Sequence, residues 1–279
     1  MNQHNRSVLL ITGANSGFGR ALAEAALANG HTVIGTVRSV EAKEALERLH
    51  ENNAYGVVLD VTDFAAIEPA IHDIVARVGP IDVLVNNAGY GHEGTVEESS
   101  LEELIRQFNT NVFGAVAMIK AVLPSMRARR TGHIVNITSM AGHVGLPGVA
   151  YYCGSKFALE GISESLAREV GPLGIKVTSV APGSFRTDWA GRSMVRSEHT
   201  IEDYDPIFGP IRRARQAKSG RQAGDPAKAA AVLLQLVGND DPPVNLLLGN
   251  DAYDLVMKRL SALSETFQAW ETTTRSTDY

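Results

Sequence analysis

Tyr152 and Lys156 stand four apart in the stretch "YYCGSKFALEGISESL", residues 151–166. On a helix that interval places both on one face, whereas Tyr151 is five from Lys156 and does not share it. A phenol with an ordinary pKa of about 10 exchanges protons poorly at neutral pH, and a neighbouring ammonium favours its phenolate. The pair therefore predicts a proton-transfer group, Tyr152, lowered in pKa by Lys156. Alone, Tyr-x-x-x-Lys also describes an ordinary surface pair. Two further polar residues add weight. Ser139 follows "GHIVNIT" at the end of an aliphatic run, and Asn111 sits in "NTNVFG" inside a helical stretch expected over 101–128. A polar side chain amid apolar neighbours there needs a partner.

Such a constellation must be carried by regular elements. Short aliphatic runs recur at 7–12, 31–37, 54–60, 81–86, 132–138, 175–180 and 244–249, separated by helical patterns. Continuous apolar strands alternating with helices imply a parallel sheet covered on both faces, so the fold class expected is a doubly wound, Rossmann-like α/β domain. Ser100 with Glu103 forms a capping-box pattern, Asp63 suits a helix cap, and Asp225 followed by Pro226 signals another helix start. No linker or repeat divides residues 1–279, so one domain is expected. The alternation breaks over 184–225, read as a segment that covers the substrate, and 251–270 reads as an amphipathic C-terminal helix.

Between the first strand and its helix, Gly13, Gly17 and Gly19 follow a G-x-x-x-G-x-G spacing. Glycines allow a tight turn and close backbone approach, and free N–H groups at the helix start favour a pyrophosphate. A ligand-free turn is the alternative, although three glycines exceed what one needs. Arg38 ends the second strand, where a dinucleotide fold places the adenosine ribose; arginine there matches a 2′-phosphate and favours NADP(H), with NAD(H) the second option. Asp60, ending the third strand, is placed to receive the adenine amino group. Small residues in "NNAG" (86–89) let backbone pass close to a cofactor.

A formal charge of −5 and 44% apolar content describe an ordinary soluble globular chain without the basic stripe of a nucleic-acid binder. The single cysteine, Cys153, can form no internal disulfide, and the four-residue run "VLLI" is neither a signal peptide nor a span; a cytoplasmic protein without membrane or nucleic-acid partners is expected. Cys153 reads as a packed thiol, and His92, His133 and His143 are too dispersed for a metal site, so none is expected. In the 184–225 segment eight basic residues face six acidic ones. "IRRARQAK" (211–218) reads as a solvated helix surface, while Trp189, Met194, Tyr204 and Phe208 could form an apolar inner side.

Taken jointly, "TGANSGFG", "NNAG", Asn111, Ser139, "YCGSK" and "PGSFRT" (182–187) resemble the short-chain dehydrogenase/reductase family over roughly residues 7–190. The resemblance implies hydride transfer between a nicotinamide and a small carbonyl or alcohol substrate. In it Tyr152 exchanges the proton and Ser139 polarises the substrate oxygen. Lys156 lowers the Tyr152 pKa and holds the nicotinamide ribose, and Asn111 anchors a water that links Lys156 to solvent. Cofactor contacts are expected at Gly13, Asn15, Ser16, Gly17, Phe18, Gly19, Arg38, Asp60 and Val61, and again at Asn87, Ala88, Gly89, Tyr152 and Lys156. Pro182, Gly183, Phe185 and Thr187 fall beside the carboxamide, and His143 and Val144 are expected to join Ser139 and Tyr152 around the substrate. Helices 101–128 and 150–171 resemble those that pair subunits in the family, so a homodimer or homotetramer is expected. Two other readings compete: a nucleotide sensor without turnover, and an NAD(P)-dependent epimerase or dehydratase.

Overall fold

The computed structural model describes residues 6–279. All seven expected strands form within two residues of their sequence limits: β1 (Val8–Thr12), β2 (Thr32–Val37), β3 (Ala54–Val58), β4 (Val83–Asn86), β6 (Gly132–Ile137), β7 (Ile175–Pro182) and β9 (Asn245–Leu248). They make one parallel sheet in the order β3-β2-β1-β4-β6-β7-β9. The strand order reverses between β1 and β4, and a crevice opens beyond the carboxyl ends of strands at such a switch point.

Alternate side chains of each strand feed two cores. Leu9 and Ile11 point toward α1 (Gly17–Ala28) and α8 (Pro226–Val237), meeting Leu22, Ala26, Leu233 and Leu236. Leu10, between them, points to the other face, with Ile67 and Ile71 of α3 (Phe64–Val78) and Met118 and Val122 of α5 (Gly114–Arg129). Each fully buried Leu or Ile contributes about 1.5–3 kcal/mol.

The expected caps form. Asp63 accepts from the Ala66 N–H, Ser100 and Glu103 close a full capping box, and Asp225 accepts from Ala227 ahead of Pro226. The helix expected over 101–128 is instead two: α4 (Leu101–Phe108) and α5, joined by a π turn at Asn109–Phe113. The covering segment is more ordered than its sequence rhythm indicates. It contains a strand, β8 (Met194–Arg196), paired in parallel with β5 (Gly91–Glu93), and a helix, α7 (Asp205–Ala217). The C-terminal helix α9 runs Asn250–Ala269. Among the described residues no helix is long and apolar enough to cross a membrane.

His133, on β6, lies buried against the Thr178 hydroxyl (3.1 Å) and is pushed down to about 4 by burial, with Lys176 adding to the effect. A histidine whose folded-state pKa lies below its unfolded value gains a proton only on unfolding between the two. Stability therefore falls as pH drops from about 6.5 through about 4. Urea unfolding at about pH 4.5 should give a stability lower than at neutral pH by roughly 2–3 kcal/mol from this group alone. His133→Gln should remove that component, and an unchanged pH dependence in the variant would refute the assignment.

Candidate active site

The glycine turn is built by sterics. Gly13 and Gly17 adopt φ of +65° and +54°, in the left-handed region that favours glycine. A Cβ on Gly19 would lie 2.5 Å from the Asn87 amide nitrogen and from the Gly13 carbonyl oxygen, so this position admits only hydrogen. Ser16 caps α1 without a side-chain hydrogen bond, which leaves the first-turn N–H groups available to an anion.

Two residues fasten this turn to the next strand end. The Thr12 hydroxyl accepts from the Asn87 and Ala88 N–H groups, each at 2.9 Å. The Asn87 side chain donates to the Thr12 and Gly13 carbonyls at 2.9 and 3.1 Å. Asn87 is thus a strut whose amide donors are spent on the protein. Thr12 opens the "TGANSGFG" motif but is not among the residues to which the sequence assigns a role. Asp251, at the start of α9, plays a similar part for the Pro182-Gly183 turn by accepting from the Ser184 N–H at 2.8 Å.

These turns surround a cleft of about 940 Å³. Gly13, Asn15, Ser16, Gly17 and Phe18 line it at the glycine turn, and Arg38, Asp60 and Val61 at the ends of β2 and β3. Asn87, Ala88 and Gly89 follow β4, while Pro182, Gly183, Phe185 and Thr187 follow β7. One oxygen of Asp60 already accepts from the Thr62 N–H and hydroxyl. Phe18 and Phe185 meet edge to face at 5.0 Å and bridge the two sides. Gly19 stands behind the wall rather than in it. A turn whose glycines take left-handed backbone or leave no room for a Cβ, an uncapped helix start and an arginine at the adenosine end fit a dinucleotide.

At the far end of the cleft, Ser139, Tyr152 and Lys156 converge. Ser139 follows β6, while Tyr152 and Lys156 lie on α6 (Ala150–Val170). The Tyr152 hydroxyl is pushed up to about 12 by burial, opposed by a hydrogen bond from Ser139, and its ring packs at a tilt on Trp189 with centroids 5.1 Å apart. This corrects the expectation that Lys156 lowers the phenol. The ammonium donates to the Ile137 carbonyl at 2.8 Å and sits 5.8 Å from the centre of the Tyr152 ring. Burial holds Lys156 itself down to about 8, against the pull of Glu160. Burial disfavours the charged form of each group, so the phenol rises and the ammonium falls.

Asn111 lies in the π turn, behind the cleft wall. Its side-chain oxygen accepts from the Tyr90 N–H, and its nitrogen donates to the Tyr90 carbonyl and the Ser155 hydroxyl, all at 3.1 Å. The helix widens where this side chain must meet the backbone after β4, a use of π turns common at functional sites.

His143 and Val144 are not among the cleft-lining residues. The His143 ring faces Glu160 at 3.2 Å, and Glu160 is also held by the Thr138 and Ser179 hydroxyls. Burial alone would raise Glu160, but these partners outweigh it and keep the carboxyl below its ordinary range. The substrate end is walled instead by Tyr90, Met140, Leu146, Val149 and Trp189. Tyr151 points elsewhere: its ring stacks on His92 and its hydroxyl donates to the Ser99 carbonyl. Cys153 is buried and its thiol is raised by that burial, as suits a packing residue.

Residues 7–196 match the short chain dehydrogenase family. A 3-ketodihydrosphingosine reductase of Bacteroides thetaiotaomicron is 38% identical over 94% of this chain and 95% of its own length. A short-chain dehydrogenase from Streptomyces avermitilis superposes with a TM-score of 0.92 at 43% identity, covering 99% of this chain and all of that one. The NADP-bound structure of ElxO gives a TM-score of 0.74 at 27% identity, over 90% of this chain and all of ElxO.

Proposed function

This chain belongs to the short-chain dehydrogenase family and is an NAD(P)-dependent oxidoreductase, and from that premise we propose that it interconverts a carbonyl and a secondary alcohol with NADP(H), using Tyr152 as the proton-exchanging group. One observation carries the reading. A buried phenol hydrogen-bonded by Ser139 shares a single cleft with the glycine turn and Arg38.

A bound nicotinamide would supply or accept the hydride at the substrate carbon. The residues of this chain do the rest. Tyr152, protonated through the neutral range, gives its proton to a carbonyl oxygen, and the Ser139 hydroxyl donates to the same oxygen and polarises it. Lys156, fixed by Ile137 with its ammonium 5.8 Å from the centre of the Tyr152 ring, stands ready to restore the phenol's proton. Both Asn111 N–H donors are spent on Tyr90 and Ser155, so only its oxygen atoms remain to hold a water beside Lys156. Gly13, Ser16, Gly17 and Phe18 would carry the pyrophosphate, Arg38 a 2′-phosphate, Asp60 and Val61 the adenine, and the Pro182–Thr187 turn the carboxamide. The apolar wall of Met140, Leu146, Val149 and Trp189 selects an apolar substrate body.

We take residues 1–279 as one cytoplasmic domain with 184–225 as its cover. Leu101, Ile105, Phe113 and Phe157, between 44% and 68% exposed on α4 to α6, offer an apolar face to a second copy. The test is a panel of an aliphatic methyl ketone, a β-ketoester and an α-diketone, assayed with NADPH and with NADH. Oxidation of NADPH in step with alcohol formation is expected for at least one class. Tight NADPH binding with no turnover across the panel would instead favour a sensor, and product formed at constant cofactor would favour an epimerase.

A further inference from the structure

Beside the β5–β8 pairing and a few ring contacts, the covering segment is held by a set of acidic residues from one short stretch, 93–103. Glu93 is the centre. It ends β5, just past the "NNAG" turn, and is wholly buried. Three guanidiniums from the cover reach its two oxygens: Arg196 at 3.1 Å and Arg212 at 3.8 Å on one, Arg215 at 2.5 Å on the other. Around it, Glu98 accepts from the Thr200 and Ile201 N–H groups and pairs with His199, while Glu97 accepts from the Tyr204 hydroxyl at 2.7 Å. Glu103 accepts from the Ser197 hydroxyl at 3.1 Å. Apolar contacts of the cover are made by Phe185 on Phe18, by Trp189 on Tyr152, and by the buried Met194 and Phe208.

The same cover touches the catalytic helix. Arg215 donates to the Pro147 carbonyl at 3.2 Å, Phe208 packs on Gly148, and Gly94 donates to the Gly148 carbonyl at 3.0 Å. Residues 147–149 lead directly into α6, three to five positions before Tyr152. Arg215 also lines the cleft beside Trp189, whose ring rests on Tyr152.

We propose that Glu93 is a positioning residue: its buried carboxylate latches the cover, β8 through α7, against the start of the catalytic helix and so sets the affinity for substrate. The inference rests on the oxidoreductase reading only for its kinetic consequence. Without this carboxylate the three guanidiniums lose the negative charge they share, and the cover loses the common point that joins β8 to α7. Contacts of Glu93 with substrate or cofactor are not required.

The experiment compares wild type with Glu93→Gln by hydrogen exchange and steady-state kinetics on the full chain. Exchange over 192–217 should accelerate at least tenfold while β1, β4 and β6 keep wild-type protection. With the best ketone of the panel, KM should rise about tenfold or more with a smaller change in kcat, and NADPH affinity should hold. Unchanged exchange over 192–217, or acceleration throughout the sheet, would overturn the latch, as would faster exchange with wild-type KM. Exchange is read without turnover, so failure of every ketone would count against the enzymatic reading and leave the latch tested. Should Glu93→Gln fail to fold, Arg215→Gln is measured instead, with the same results expected.

Discussion

Tyr152→Phe is expected to cut turnover by about 100-fold to 10,000-fold, the contribution typical of a positioned proton-transfer group. The substitution removes one hydroxyl and keeps the ring that packs on Trp189 at 5.1 Å, so the cleft retains its shape. NADPH affinity should therefore remain near wild type, measured by the change in cofactor fluorescence on binding. With the phenol at about 12 through burial, the wild-type hydroxyl carries its proton across the neutral range. Carbonyl reduction is the direction that uses this proton. Alcohol oxidation needs it removed first, so oxidation should rise with pH while reduction does not. Full activity in Tyr152→Phe would mean that another group moves the proton.

The second large effect is on cofactor choice. Arg38 is exposed at the end of β2 and lines the cleft across from Asp60. The adjacent Ser39 hydroxyl is committed to capping α2 (Val40–Glu47), accepting from the Ala42 N–H at 3.2 Å, so Arg38 is the group at this corner suited to a 2′-phosphate. A hydrogen bond to a charged partner contributes about 1.5–3 kcal/mol. Arg38→Asp both loses that bond and sets a carboxylate against the phosphate. The NADPH dissociation constant should rise by roughly 100-fold. NADH should bind as well or better, because a carboxylate accepts from the 2′-hydroxyl. Competition titrations of both reduced cofactors check the ratio, and equal weakening of the two would show that Arg38 does not read the phosphate.

What the amino-acid sequence determined by itself is the framework. Seven aliphatic runs form the parallel sheet, and the caps at Asp63, Ser100 and Asp225 start their helices, because strand periodicity and capping act within a few residues. The fold then brings the glycine turn, Arg38, Asp60, Ser139 and Tyr152 to one cleft, since each follows or faces the carboxyl end of a strand. Tertiary structure alone decided the rest. It turned His143 away from the cleft toward Glu160, widened the helix at Asn111, and put Arg212 and Arg215 of a segment that reads as solvated surface beside a buried carboxylate. It also reversed the expected shift of Tyr152. The physical reason is common to all four. Burial and ion pairing depend on what meets across space, and Glu93 finds Arg196 and Arg215 at separations of 103 and 122 residues, where no local pattern reaches.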